Sequence, residues 1–175
     1  QAYYEANMAL LVETPALDLY DPEWVIHTQS EERPAALIGA EARSEGNLFC
    51  DGCQIYGQVS RSVIGPGVIV EPGAVVRDSI LLTDTVVGRD AVVDRCILDK
   101  ETVVGKEAKV GDGEDNAPNQ AAPERLNTGL TVVGRRARIP AGAIIGRNVV
   151  ILPRATDDLF GTDLVVPSGA TVARA

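Results

Sequence analysis

From Val59 the chain repeats itself, and that repeat limits its fold more than any other feature. Three consecutive 17-residue stretches align without gaps: VSRSVIGPGVIVEPGAV, VRDSILLTDTVVGRDAV and VDRCILDKETVVGKEAK. An aliphatic residue recurs at steps of five, six and six through Val59, Ile64, Val70, Val76, Leu81, Val87, Val93, Leu98, Val104 and Val110. Small residues share columns: Ser62, Ser79 and Cys96; Val68, Thr85 and Thr102; Ala74, Ala91 and Ala108. Six residues cannot hold a helical hairpin, but they suffice for one short strand and a tight corner. Three such faces close a triangular coil, with the aliphatic pointing inward and the small residue where the walls converge. Each coil then lies ~4.8 Å above the last and pairs with it as parallel strands.

The outward positions agree with this register. Arg61, Asp78 and Arg95 alternate in sign up one column, as stacked neighbours should. The composition fits too: 45% of residues are apolar but only 4% aromatic. The core must therefore be built from Val, Ile, Leu and Ala, which with Gly and Pro between them favour strands and turns. The fold class read from the sequence is all-β, a single-stranded parallel β-helix of hexapeptide repeats with a short N-terminal helix.

Residues 2 to 13 have helical spacing, with Tyr4, Met8, Leu11 and Val12 on one stripe, ended by Thr14 and Pro15. Leu17 to Ala36 reads as extended connecting structure. We divide the chain into residues 1–45, helix and connecting segment, and 46–175, the coil domain. Residues 112–130, rich in Asn, Asp, Pro and Gly, break the repeat as an excursion from one corner, where function often resides. The repeat resumes through Val133, Ile139, Ile145 and Ile151, is interrupted at 156–165, and closes with VPSGATV. A solenoid needs capped ends, for which the N-terminal helix region or a partner subunit is available. The chain opens with Gln1 and is helical at once, which reads as part of a longer polypeptide.

Charge narrows the function. Sixteen basic residues against 25 acidic ones leave a net −9, which argues against nucleic acid or an anionic membrane as partner. The charge is uneven: residues 131–154 carry five arginines and no acid, a patch suited to a small anion. There is no apolar run of membrane-spanning length and no signal-peptide pattern. Three cysteines do not make a disulfide framework, so the expected location is the cytoplasm.

The segments YYEANMALL and LDLYDPEWVIHTQSEERPAALI, with SRSVIGPGV, LDKETVVG and LNTGLTVVGRRARIPAG further on, resemble the bacterial glucose-1-phosphate adenylyltransferases, or ADP-glucose pyrophosphorylases. The matching family pattern is an A-N-x-x-L-L helix, then L-Y-D-x-x-W-x-I-x-T, then P-P-A. Arg33 stands where the family usually has the first proline. The resemblance implies a left-handed coil and identifies the chain with the family's non-catalytic C-terminal domain. The family joins glucose 1-phosphate to ATP with Mg²⁺, releasing pyrophosphate and making ADP-glucose for glycogen. Its phosphate loop, G-G-x-G-T-x-L, has no counterpart here, so this chain alone is expected to be inactive, with no catalytic or metal residues and no cofactor of its own.

The implied partners are the chain's own N-terminal catalytic domain, further copies in a homotetramer, and phosphorylated effectors. The family's effector motif D-[KR] falls on Lys100; Lys100, Arg135, Arg136 and Arg138 are the candidate effector-binding residues. A second lysine found in some relatives is replaced by Asn127. In an 18-residue coil Arg136 would sit under Arg154, and the two would repel without an intervening anion. An effector phosphate, a partner's carboxylate or solvent could screen them. The alternatives are the equivalent domain of a related sugar-1-phosphate nucleotidyltransferase and, from a different class, a hexapeptide acyltransferase. The latter usually needs a histidine at the coil as proton acceptor, whereas His27, the single histidine, precedes the repeats and is read as structural. Cys50 and Cys53 form a lone C-x-x-C, without the second ligand pair that zinc would need. Cys53 lies on the inward series and Cys96 in a small-residue column.

Overall fold

Steps of five and six residues become three parallel sheets of six, seven and seven strands in the computed structural model, which describes residues 1–26 and 32–173. His27 lies outside the described residues. Face A contains Leu37–Ile38, Gln54–Ile55, Ile69–Val70, Val86–Val87, Val103–Val104 and Arg138–Ile139. Face B runs from Arg43–Glu45 to Val165–Val166, and face C from Leu48–Phe49 to Thr171–Val172. Val70, Val87, Val104 and Ile139 are register partners, all within 2% exposure. The inward register is therefore the one the repeat predicts.

The small-residue columns are fully buried. Their hydroxyls close the corner hydrogen bonds: Ser62 accepts the N–H of Ser79 at 3.1 Å, and Ser79 accepts that of Cys96 at 3.0 Å. Thr85 and Thr102 donate to the carbonyls of Leu82 and Asp99. Polar atoms inside the prism are tolerated because each finds such a partner. Burial pushes the Cys96 thiol far up, so this cysteine acts as an inert filler.

Corners turn through residues with positive φ. At the edge between faces C and A these are Gly52, Gly67, Asp84, Glu101, Arg136 and Arg154. The N–H of each later member donates to the coil below: Glu101 to Thr83 O (2.9 Å), Arg136 to Lys100 O (2.9 Å) and Arg154 to Arg135 O (2.8 Å). Gly67 needs its missing side chain, since a Cβ there would collide with the Arg33 guanidinium and the Asp84 carboxylate. Arg33 crosses that corner and forms a bidentate pair with Asp84, at 2.6 and 3.1 Å.

The ends differ from the repeat's expectation. The helix α1 spans Ala2–Met8 and continues as a 3₁₀ turn at Ala9–Leu11, so Val12 falls outside it and is exposed. Instead of capping the prism, α1 lies on the outer surface of face C. There Tyr4 packs with Ile80, Leu126 and Leu130, and Met8 and the outward residues Val63, Ile97, Val132 and Val150 pack against that cluster. Tyr4 Oη donates to Asp78 O at 2.7 Å. The coil also begins before residue 46, because Leu37–Ile38 and Arg43–Glu45 already pair with the next coil. In that first coil Ile38, an inward position, is 44% exposed, whereas its partner Ile55 is fully buried. The opposite end is closed: the interruption forms a 3₁₀ turn at Asp157–Leu159 and buries Phe160 against the core.

The excursion is pinned to the prism by two buried asparagines. Asn119 Nδ2 donates to Asn148 O and Ala170 O, both at 3.0 Å, while its Oδ1 accepts the N–H groups of Ala121 and Ala122. Asn148 Oδ1 accepts the N–H of Gly129 at 2.7 Å, and its Nδ2 donates to Asn116 and Ala117. Asn148 also supplies a corner at φ 55, a conformation asparagine tolerates better than most residues.

Candidate functional site

The stacking that pairs strands also gathers charges from distant sequence positions. Lys100 and Glu101 occupy the C–A corner of one coil, Arg135 and Arg136 the same corner of the next, and Arg154 the one after. Arg138 lies on face A beside Val103, exposed, just past that corner. Thus the four candidate residues come together along one edge. Arg147 does not join them: it belongs to the edge between faces B and C.

The anion between these arginines comes from the chain itself. Glu101 receives both Arg135 (Nη2 at 2.5 Å, Nε at 3.2 Å) and Arg136 (Nε at 2.6 Å, Nη2 at 3.2 Å). The hydrogen bonds from Arg136 and then Arg135 hold the Glu101 carboxyl down to about 2, and the same contact raises Arg136. Among the described residues no carboxylate pairs with the side chains of Lys100, Arg138 or Arg154. Asp99 Oδ1 accepts the backbone N–H of Lys100 at 2.7 Å, which fixes the corner. From the corner at Lys100 to that at Arg154 the edge carries five cations, Lys100, Arg135, Arg136, Arg138 and Arg154, against two carboxylates, Asp99 and Glu101. Such guanidinium forks match carboxylate or phosphate oxygens bidentately.

A second cluster sits at the B–C edge. Asp94 pairs with Arg147 Nη2 at 2.8 Å and Arg77 Nε at 3.2 Å, and Arg147 Nε donates to Gly113 O at 2.5 Å. These groups line a recess of about 240 Å³ with Lys109, Asp112 and Glu114, so its cations are matched by acids. Below them Arg61 and Asp78 make the bidentate pair that sign alternation predicts, at 2.8 and 2.6 Å. Arg95 does not extend that column. It instead donates to Thr128 O at 2.9 Å and lies 5.5 Å from the Tyr4 ring centroid, a cation–π distance.

Cys53 and Cys96 are buried and Cys50 is exposed. Among the described residues no group of three or more His, Cys, Asp or Glu is placed to hold a metal. Nor is any helix there long and apolar enough to cross a membrane. Sequence reasoning overlooked Glu101, Asp94 and the two asparagines. For Glu101 the signal was available, because it occupies the same corner position as Asp84 one repeat earlier.

Comparison with known proteins agrees with the fold. Residues 33–133 match the family described as GlmU-like, C-terminal hexapeptide. The chain is 56% identical to a glucose-1-phosphate adenylyltransferase of Thermomicrobium roseum, over 98% of this chain and 40% of that protein. Proteins of the same name from Ruminiclostridium cellulolyticum and Acetivibrio thermocellus are 52% and 42% identical, over 98% and 91% of this chain. The chain spans about 40% of the length of these relatives.

Proposed function

The chain belongs to the GlmU-like C-terminal hexapeptide family, and from that premise we propose that it is the non-catalytic C-terminal domain of a glucose-1-phosphate adenylyltransferase. The parent joins ATP and glucose 1-phosphate into ADP-glucose and pyrophosphate for glycogen synthesis in the cytoplasm. The observation that carries this reading is the identity to enzymes of that name across 98% of the chain. The domain's own work is assembly of the homotetramer and binding of phosphorylated effectors at the C–A edge, through Lys100, Arg135, Arg136 and Arg138.

The open base of the prism supports a large protein partner. Ile38 is exposed there, and the preceding segment exposes Tyr20, Trp24, Val25 and Ile26. Large apolar groups left in water favour a covering partner, and the catalytic domain of the parent would supply it. Mg²⁺ belongs with that domain: the carboxylates of Asp94 and Glu101 are each taken by two arginines and do not suit a divalent cation. The chain by itself turns nothing over.

The test is made on the full-length parent and on this chain, assayed for ADP-glucose formation from ATP and glucose 1-phosphate. Activity in the parent and none in the isolated chain is the expected result. A parent that makes GDP-mannose but no ADP-glucose would sink the substrate class. Loss of effector response in Lys100→Ala, with basal activity kept, supports the site; an unchanged response removes Lys100 from it.

A further inference from the structure

The C–A edge has a feature that effector binding alone does not require. Its corner residues adopt positive φ, where glycine is favoured, yet four successive coils place charged residues there: Asp84 at φ 58, Glu101 and Arg136 at φ 60, and Arg154 at φ 61. Glu101 and Arg136 meet, and with Arg135 the carboxylate fills the fork of two guanidiniums through four charge-assisted hydrogen bonds. Above this fork stands Arg154 and below it Lys100, both without a carboxylate partner among the described residues. The cationic edge is thus only partly neutralised by one tethered carboxylate, seated between two guanidiniums.

We propose that Glu101 is a built-in competitor for a phosphate-bearing ligand: it holds the Arg135–Arg136 fork until a phosphate displaces it, with Lys100 and Arg154 completing the ligand's contacts. This rests on the reading of the edge as a phosphorylated-effector site and adds how that site is regulated. A phosphate carries up to two charges and three strong acceptor oxygens, so it can use the fork and a flanking cation together. One carboxylate cannot. Glu101 is free to leave because its side chain is 36% exposed, and a displaced carboxylate regains water at little loss. It cannot move down the column, where Asp84 already holds Arg33; Lys100, beside it in the chain, has no carboxylate partner among the described residues. Competition of this kind lowers the apparent affinity of the edge and makes it respond only to multiply charged anions.

The experiment is calorimetric titration of the full-length parent with inorganic phosphate, comparing wild type, Glu101→Gln and Lys100→Ala. Glutamine keeps the shape and the corner but removes the competing charge, so the Kd for phosphate is expected to fall by about tenfold, while Lys100→Ala raises it. Equal affinity in wild type and Glu101→Gln, with Lys100→Ala weaker than either, would overturn the competitor role and leave the effector reading standing. Phosphate binding indifferent to both substitutions would overturn the two together.

Discussion

Two clusters in this molecule have the same make-up, one carboxylate between two arginines, and opposite characters. Asp94 with Arg77 and Arg147 sits at the B–C edge beside the excursion, its carboxylate 12% and Arg147 18% exposed. Glu101 with Arg135 and Arg136 sits at the C–A edge, the arginines 50% and 47% exposed. Removing water from a charge makes it depend on its partners, and breaking such a pair strands the charges left behind. In water the same contact is weak and screened. Enclosure thus makes the first cluster a fastener for the excursion, through the bond from Arg147 to Gly113 O. Exposure leaves the second open to exchange.

The sharpest way to break this contrast is Asp94→Asn. It leaves two guanidiniums facing a neutral amide and is expected to destabilise the chain by about 3 kcal/mol, read from the urea midpoint. A loss below about 1 kcal/mol would place Asp94 in the same class as an exposed pair. Next comes Asn119→Ala, which removes the amide that ties the excursion to Asn148 O and Ala170 O. Unmet buried carbonyls lead us to expect about 2 kcal/mol, with faster proteolysis within residues 112–130; unchanged cleavage would mean that Asn148 and the Asp94 cluster fasten the loop without Asn119. Tyr4→Phe is milder, about 1 kcal/mol for the lost bond to Asp78 O, because the ring keeps its packing against Leu126 and Leu130.

Glu101→Gln has the smallest expected effect on stability, with a denaturation midpoint at pH 7 close to that of the wild type. Its pH dependence sharpens the point. The folded carboxyl is held to about 2, below the ~4.3 of an unfolded glutamate. The stabilisation it provides is therefore complete above the unfolded value and disappears as pH falls from about 4 through about 2. Any difference between wild type and Glu101→Gln should vanish across that window. A difference that persists at pH 2 would mean that the side chain contributes through packing.

Much of this fold is legible along the chain because a short period repeats a local decision. Val70, Val87 and Val104 could be assigned to one inner column, and Ser79 with Cys96 to one corner, from spacing alone. The pair of Arg61 with Asp78 was readable for the same reason. Arg95 was not, since Tyr4 from the far N-terminal helix and Thr128 from the excursion compete for it. The resting place of α1 escaped notice because its stripe of Tyr4 and Met8 says only that one side is apolar, not which surface receives it. The candidate site was half visible: its cations could be named, but not that Glu101 already holds two of them.

By itself the sequence determined which residues face inward and which coil stacks on which, since both follow from backbone spacing and the size of side chains that fit a narrow prism. Only the tertiary structure decided the partner of each charge. Residues 35 apart become neighbours only once the coils close, and long arginine side chains then have several carboxylates and carbonyls within reach, so water access and local competition make the choice.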